Sequence, residues 1–330
     1  MINAAVVGLG WWGQKIITDL AGSEHLRVVL GVDVDEPARA GLAGHGIRAA
    51  ASLDEALTGD GIDAVILCTP HRRHAEQIVL AAQAGKHVFC EKPLTTNGCE
   101  ARAAIDAVRA AGVQLGIGHE RRFEPAIQQL RDMCANGELG APLVFEGNFS
   151  QDKFLDLPED NWRLSATDAP VGPLSATGIH MVDLAIAVFG RPTEVWARLG
   201  THATSFGNGD TLTVTMGFAN GRTALITAVL TTPFAGRVTL LGSRGWMEIR
   251  DRNHPELPRG WDVTTVYRGG EPETKFFPPQ PSVRANLEAF AQSAEGKAEY
   301  PVSYDEMLAN ADAFEAITRS ARSGQIERIT

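Results

Sequence analysis

The stretch Ala4-Ala5-Val6-Val7-Gly8-Leu9-Gly10-Trp11-Trp12-Gly13-Gln14-Lys15-Ile16-Ile17 decides the fold. Its apolar run Ala4–Val7 reads as a strand, and Gln14–Ala21 reads as a helix. Between them Gly8, Gly10 and Gly13 form a GxGxxG turn. The first glycine of such a turn makes the bend. The second lets backbone approach a pyrophosphate, and the third lets helix and strand pack closely. The helix start adds N–H groups without intrahelical partners and a partial positive charge suited to phosphates. Alone the motif is weak, because glycine turns are common; the strand before it and the helix after it give it weight.

Working outward, the first 120 residues repeat this alternation. The apolar runs Val28–Val32, Ala64–Cys68, His87–Cys90 and Val113–Ile117 lack a period of two, as strands covered on both faces do. Helical stretches rich in Ala, Leu, Glu and Arg separate them, at Glu36–Ala43, Leu53–Leu57, Arg73–Ala84 and Cys99–Ala111. This spacing predicts parallel pairing through right-handed crossovers, a doubly wound Rossmann-type sheet.

The pattern changes after about residue 123. A helix is expected over Phe123–Cys134, ended by Asn136-Gly137, and a strand over Leu143–Phe149. The polar stretch 151–173, with Pro158, Pro170 and Pro173, reads as a loop. Leu174–Phe189 reads as an apolar helix closed by Gly190. Successive β-segments follow, among them Glu194–Leu199, Thr211–Phe218, Thr223–Leu230, Arg237–Leu241 and Trp246–Ile249. Asn208-Gly209 and Asn220-Gly221 are hairpin signals between them. Helices near Val283–Ala294 and Ser303–Ser323 close the chain. The expected organisation is α/β: an N-terminal Rossmann doubly wound parallel sheet over 1–122, then a C-terminal α/β domain with a large open, mostly antiparallel sheet over 123–330.

Composition limits the function classes. The 330 residues carry 30 basic and 40 acidic side chains, a net charge of −10, with no basic run. Such a chain is a poor partner for nucleic acid or anionic lipid. No signal-peptide pattern and no apolar run of membrane-spanning length is visible. Cys68, Cys90, Cys99 and Cys134 form no CxxC or metal-spaced pair, so a reduced, cytoplasmic setting without a bound metal is expected.

Asp33 stands twenty positions after Gly13, at the end of the second strand. A carboxylate there accepts from both adenosine ribose hydroxyls and repels a 2′-phosphate, which favours NAD over NADP. Thr69-Pro70 and Glu91-Lys92-Pro93 each end a strand, the edge where open α/β sheets bind ligands. Pro93 keeps Lys92 out of the helical region. Trp11 and Trp12 read first as packing residues within the same loop.

In the apolar helix 174–189, His180 and Asp183 are three apart and share one side. A buried His needs a partner, and Asp183 is a candidate. A structural His–Asp pair is the bland reading; a substrate-facing His oriented by a carboxylate is the sharper one. Trp162-Arg163 offers either a planar cation for the ligand crevice or a surface anchor. Arg121-Arg122 offers either a phosphate contact or an ordinary ion pair.

Together these features resemble the Gfo/Idh/MocA family, the glucose–fructose oxidoreductase / inositol 2-dehydrogenase group. The carriers are the glycine turn, Cys68-Thr69-Pro70 with His74, and Gly85-Lys86-His87-Val88-Phe89-Cys90-Glu91-Lys92-Pro93-Leu94. Arg121-Arg122-Phe123, Trp162-Arg163, Gly178-Ile179-His180-Met181-Val182-Asp183 and Ser320-Ala321-Arg322-Ser323-Gly324 add to them. The resemblance implies a Lys92 beside the nicotinamide and the reacting oxygen, and a His180 that contacts the same oxygen as acid or base. The expected cofactor side is then Gly8, Gly10, Trp11, Trp12, Gly13, Asp33, Thr69, Pro70, His74, Glu91, Lys92 and Arg163. The expected substrate side is Lys92, His180, Asp183, Arg122 and Trp162. It further implies sugar, inositol or related cyclic-alcohol substrates and a homodimer or homotetramer assembled through the C-terminal sheet. One departure stands out: many members carry Asp four residues before the His, where this chain has Ala176. Other readings are NAD-recycling glycoside cleavage, an aromatic cis-dihydrodiol dehydrogenase, and a non-catalytic NAD-binding regulator. A Lys and a His held for the nicotinamide argue for an enzyme.

Overall fold

The computed structural model describes residues 1–329. The chain divides into two compact units, one of residues 1–120 and 281–308, the other of residues 121–280 and 309–330.

Six strands build the first sheet: β1 (Ile2–Val7), β2 (Leu26–Val32), β3 (Arg48–Ala50), β4 (Ala64–Leu67), β5 (His87–Cys90) and β6 (Leu115–Ile117). All pair in parallel, in the order β3-β2-β1-β4-β5-β6. The order reverses between β1 and β4, the point at which doubly wound sheets open a ligand crevice. The crossovers are α1 (Trp11–Asp19), α2 (Glu36–Ala40), α3 (Leu53–Thr58), α4 (His74–Gln83) and α5 (Gly98–Ala111). All four residues of β4 are completely buried, which explains its unbroken apolar run. Local signals fix the helix ends. Ser52 and Glu55 form a capping box on α3, and Asn97 caps α5, which Gly112 closes at φ 66°. The three-residue β3, with Arg48 and Ala49 exposed, has no apolar run for the sequence to reveal.

The second unit contains α6 (Pro125–Ala135), α7 (Ile179–Phe189) and the strands β7 (Pro142–Ser150), β8 (Pro192–Gly200), β9 (Thr211–Phe218), β10 (Thr223–Val229), β11 (Ala235–Gly242), β12 (Gly245–Asp251), β13 (Trp261–Tyr267), β14 (Glu273–Phe277) and β15 (Glu327–Arg328). They form one nine-stranded sheet ordered β14-β13-β12-β11-β7-β10-β9-β8-β15. Only β7 and β10 pair in parallel; the other pairs are antiparallel. The register lines up one buried row across seven strands: Ala197, Val214, Ile226, Gly147, Val238, Ile249 and Val263. The adjoining row, from Trp196 through Thr215, Leu225, Glu146, Thr239 and Glu248 to Thr264, points to the opposite face. This is the period-two signature of a sheet with one packed face. Helix α7 lies on the buried row: a Cβ on Gly147 would stand 2.9 Å from the Met181 Cβ, so only glycine admits the helix there.

The segment 281–308 belongs to the first unit, whereas the sequence reading carried it with the second. Helix α8 (Ser282–Ala294) supplies the reason. Phe290 packs edge-on against Phe89 at 5.6 Å, and it fills the space over Gly116. Asn286 Nδ2 donates to the Ile117 carbonyl at 2.8 Å, and Ile117 N donates to the Tyr300 hydroxyl at 3.1 Å. The outer edge of β6 is thereby paired with side chains rather than left open. The last helix, α9 (Tyr304–Ser323), contains the boundary between the units. No helix among the described residues is long and apolar enough to cross a membrane.

Candidate active site

In the first unit, the glycine turn behaves as its spacing demands. Gly8 sits at φ 94°, and a Cβ on it would lie 2.7 Å from the Cys68 carbonyl oxygen. A Cβ on Gly13 would lie 2.0 Å from the Gly8 oxygen, so strand and helix touch through bare backbone. Gly10 differs: it is the N-cap of α1, and a Cβ there would meet nothing within 4 Å. The space over Gly10 is open and faces a helix start, which fits a dinucleotide pyrophosphate. Asp33 is half-buried beside this loop. Its Oδ2 accepts from Leu9 N at 2.6 Å and its Oδ1 from Asp35 N at 2.9 Å. Those two bonds lock the carboxylate against the turn, and each oxygen keeps a lone pair for a ribose hydroxyl. Arg39 Nη1 donates to the Asp33 and Val34 carbonyls.

The ends of β4 and β5 are tied together by His74. Its imidazole is fully buried, with Nδ1 2.7 Å from the Pro93 carbonyl oxygen and Nε2 2.9 Å from the Thr69 carbonyl oxygen. A neutral ring donates to one of these and a charged ring to both. Burial pushes its pKa down, against the pull of those carbonyls. His74 was expected among the cofactor contacts; both its ring nitrogens lie against backbone carbonyls, which ties the two strand ends together. Thr69 donates its hydroxyl to Gln77 Oε1 at 2.5 Å. Glu91 is buried as well, its carboxylate filling the space a Cβ on Gly118 would need. Burial raises its pKa, and the Trp12 indole and Lys92 charge work in the opposite direction. Trp12 is half-buried and Trp11 is exposed. Lys92 is half-buried, and its bond to Pro93 is cis.

In the second unit, α7 follows a π-helical turn, Leu174–Gly178. Just before that turn Val171 is held at φ 52°, a strained conformation for a β-branched residue. His180 is buried, its ring 5.7 Å from that of Phe149. Asp183 and Arg122, both expected on the substrate side, are placed against each other. Arg122 Nε and Nη2 each donate to the Asp183 carboxylate at 2.7 Å, and both side chains are almost completely buried. Arg121 is engaged in the same way by Glu124 and, at 2.8 Å, by Asp251, which also accepts from the Trp261 indole. Burial works against the Arg121 charge, but the two carboxylates outweigh it and hold the guanidinium protonated. Arg163 stacks on Trp162 at 4.3 Å, and its backbone carbonyl accepts from the buried Asn208. Ser175 and Thr177 bond the Pro170 and Pro173 carbonyls, and Ala176 packs on an apolar cluster of Phe154, Leu164 and Leu230. The Phe149 ring also lies 6.0 Å from that of Phe234 and 5.5 Å from that of His254, neighbours the sequence did not bring together.

Residues 2–119 match the profile described as an oxidoreductase family with an NAD-binding Rossmann fold, and residues 127–248 match the GFO/IDH/MocA C-terminal domain. The chain belongs to the Gfo/Idh/MocA family. As a member it is an NAD(P)-dependent oxidoreductase, and its first unit is an NAD-binding Rossmann domain. Among its Gfo/Idh/MocA relatives, D-xylose 1-dehydrogenase (NADP(+)) 2 of Haloferax volcanii is 28% identical over 97% of each chain. The uncharacterized oxidoreductase YrbE of Bacillus subtilis is 29% identical over 68% of this chain, which spans 66% of that protein. The crystal structure of aldose-aldose oxidoreductase from Caulobacter crescentus, complexed with glycerol, superposes with a TM-score of 0.87 at 25% identity, covering 99% of both chains.

Proposed function

We propose that the enzyme interconverts a CH–OH and a carbonyl of a sugar, inositol or related cyclic alcohol, with NAD as the preferred cofactor. Bound NAD supplies the hydride-accepting nicotinamide, chemistry that no side chain provides. In this reading Gly10 and the start of α1 hold the pyrophosphate and Asp33 holds the ribose. Lys92 exchanges the proton of the reacting oxygen and stabilises its negative charge. His180 hydrogen-bonds the substrate and shares the proton. Glu91 beside Lys92 keeps that ammonium in a carboxylate's field, and His74 fixes the loop that carries it. The observation carrying the proposal is the place of Lys92. It ends β5 on the same carboxyl edge as the glycine loop, and its loop is pinned by a buried imidazole to the end of β4.

A positioned proton-transfer group is worth about 10²–10⁴ in rate. Lys92→Ala is therefore expected to lose turnover by at least that factor while NAD affinity stays within a few-fold of wild type. Turnover of a cyclic polyol panel, followed at the NADH absorbance, and NAD titration are the two measurements. Retained turnover refutes the assignment.

A further inference from the structure

Resting on the reading of His180 as a proton-sharing group, we propose that Asn208 is the residue that positions it. The buried Asn208 amide fixes the strained turn from which the helix of His180 starts.

Helix α7 is fastened on both sides of His180. Beyond it, Met181 sits on Gly147 and Asp183 on Arg122. Before it lies the π-helical turn Leu174–Gly178, which packs on β10: a Cβ on Gly178 would lie 3.4 Å from the Ala228 Cβ. That turn hangs from Val171, whose carbonyl accepts from Leu174 N at 2.8 Å and Ser175 N at 3.0 Å. Val171 is buried and held at φ 52°. A β-branched residue stays in the left-handed region only where its surroundings over-determine it.

Asn208 supplies that restraint. Its side-chain Nδ2 donates to the Arg163 and Ala169 carbonyls, both at 2.8 Å, and its backbone carbonyl accepts from Gly172 N at 2.7 Å. One buried residue thus grips the chain on both sides of Val171, at Ala169 and at Gly172. The bridge needs two N–H donors on one atom, which an amide has and a hydroxyl or carboxylate lacks. Gly172 clears the way, since a Cβ there would stand 2.8 Å from the Asn208 Cγ. Asn208 is itself anchored in the sheet through its neighbour Asp210. Asp210 N donates to the Gly200 carbonyl at 2.9 Å, and Leu230 N donates to the Asp210 carbonyl at 2.8 Å. The Asp210 carboxylate accepts from the backbone of His202, Ala203 and Thr204. The restraint therefore comes from the ends of β8, β9 and β10, not from the loop it restrains. Without it Val171 relaxes to negative φ and the π-helical turn moves. His180 stands in the first turn of α7 and follows that movement more than Asp183, which Arg122 holds.

The test uses the NAD-loaded enzyme and two variants. Asn208→Ala removes both donors; Gly172→Ala keeps them and displaces the amide with a methyl. The His180 ring is read by ¹⁵N-histidine NMR, its signals assigned by their loss in His180→Gln. Turnover is read on the cyclic polyol that wild type converts fastest. Both variants should move the His180 ring signals. Misplacing a catalytic group by about 1 Å costs up to about 10²-fold, so kcat should fall about 10- to 100-fold while KM and the Kd for NAD stay within about threefold. If Asn208→Ala does not fold, Gly172→Ala decides; if no polyol is turned over, the ring signals decide. The inference is overturned if the folded variants keep the wild-type His180 signals, whatever their melting temperatures, since Asn208 then only stabilises the loop. It is equally overturned if kcat is unchanged although His180→Ala is inactive. Ring signals that move while His180→Ala retains turnover would instead remove the proton-sharing reading of His180 and leave Asn208 as the residue that places its ring.

Discussion

Replacing Gly10 with alanine separates cofactor binding from folding. Gly10 has φ −61° and ψ −177°, a conformation alanine adopts without strain, and the added methyl meets nothing within 4 Å. Losing glycine from an N-cap costs a few tenths to about 1 kcal/mol. Reduced freedom of the unfolded chain returns about 0.4–1 kcal/mol. The two nearly cancel, so the melting temperature without NAD should move by no more than about 2 °C. The same methyl projects into the space that the second glycine of the motif leaves for pyrophosphate. Loss of one charge-assisted hydrogen bond there is worth about 1.5–3 kcal/mol, or about 10- to 160-fold in Kd. NAD titration by tryptophan fluorescence, with Trp11 and Trp12 in the same loop, reads the affinity. Gly13→Ala is the contrasting variant. Its Cβ would lie 2.0 Å from the Gly8 oxygen, so strand and helix must part, at about 1–3 kcal/mol of stability. A Gly10→Ala enzyme that binds NAD as wild type does, or that melts as early as Gly13→Ala, would refute the reasoning.

Three further outcomes are expected. Wild type should bind NAD more tightly than NADP, and Asp33→Ala should narrow that gap by weakening NAD, since the Asp33 carboxylate also holds Leu9 N; paired Kd measurements decide, and an unchanged ratio counts against it. Arg122→Met strips Asp183 of its bidentate cation and should cost about 3–5 kcal/mol in denaturant unfolding, most of it recovered in R122M/D183L; a cost below 1 kcal/mol would contradict the burial argument. Burial lowers the pKa of His74, and of His87, below the ordinary 6.5. The unfolded chain then binds the extra protons between the lowered folded values and 6.5. That share of stability is intact above pH 6.5 and declines as pH falls through the window, by up to about 1.4 kcal/mol per pH unit for each ring. His74→Gln should remove its part of the slope between pH 7 and 5, and superimposable profiles would show that His74 contributes none.

The parallel sheet was legible because each of its features is local. A continuous apolar run marks a strand buried on both faces, and Gly8, Gly10 and Gly13 mark the turn where backbone must touch backbone. The antiparallel sheet was legible where polar and apolar residues alternate, as in Thr211–Phe218, predicted to the residue. What escaped lacks such a signal. The short β3 is mostly exposed. Strand β14 has exposed residues on both faces, so no alternation of burial marks it. The return of α8 to the first unit depends on Asn286 and Tyr300 reaching Ile117, 169 and 183 residues away, which no periodicity records.

The candidate site divides along the same line. Gly10 and Asp33 act through the immediate chain, and their spacing announces them. The arginines do not. For the adjacent Arg121 and Arg122 the sequence leaves a phosphate contact and an ordinary ion pair both open, because it displays charge without displaying its partner. Three-dimensional packing turns each toward a different carboxylate, Glu124 and Asp251 for one and Asp183 for the other, and removes both from water. A guanidinium that is buried and already holds a carboxylate has little left for a ligand, because an incoming anion would have to displace that partner. Around His180 and its neighbour Phe149 lie the rings of Phe234 and His254, which sequence analysis passes over as ordinary core. The charges that the motif advertises are thus cancelled by packing, each arginine against its own carboxylate, and the ring set nearest the imidazole of the helix is that of Phe149.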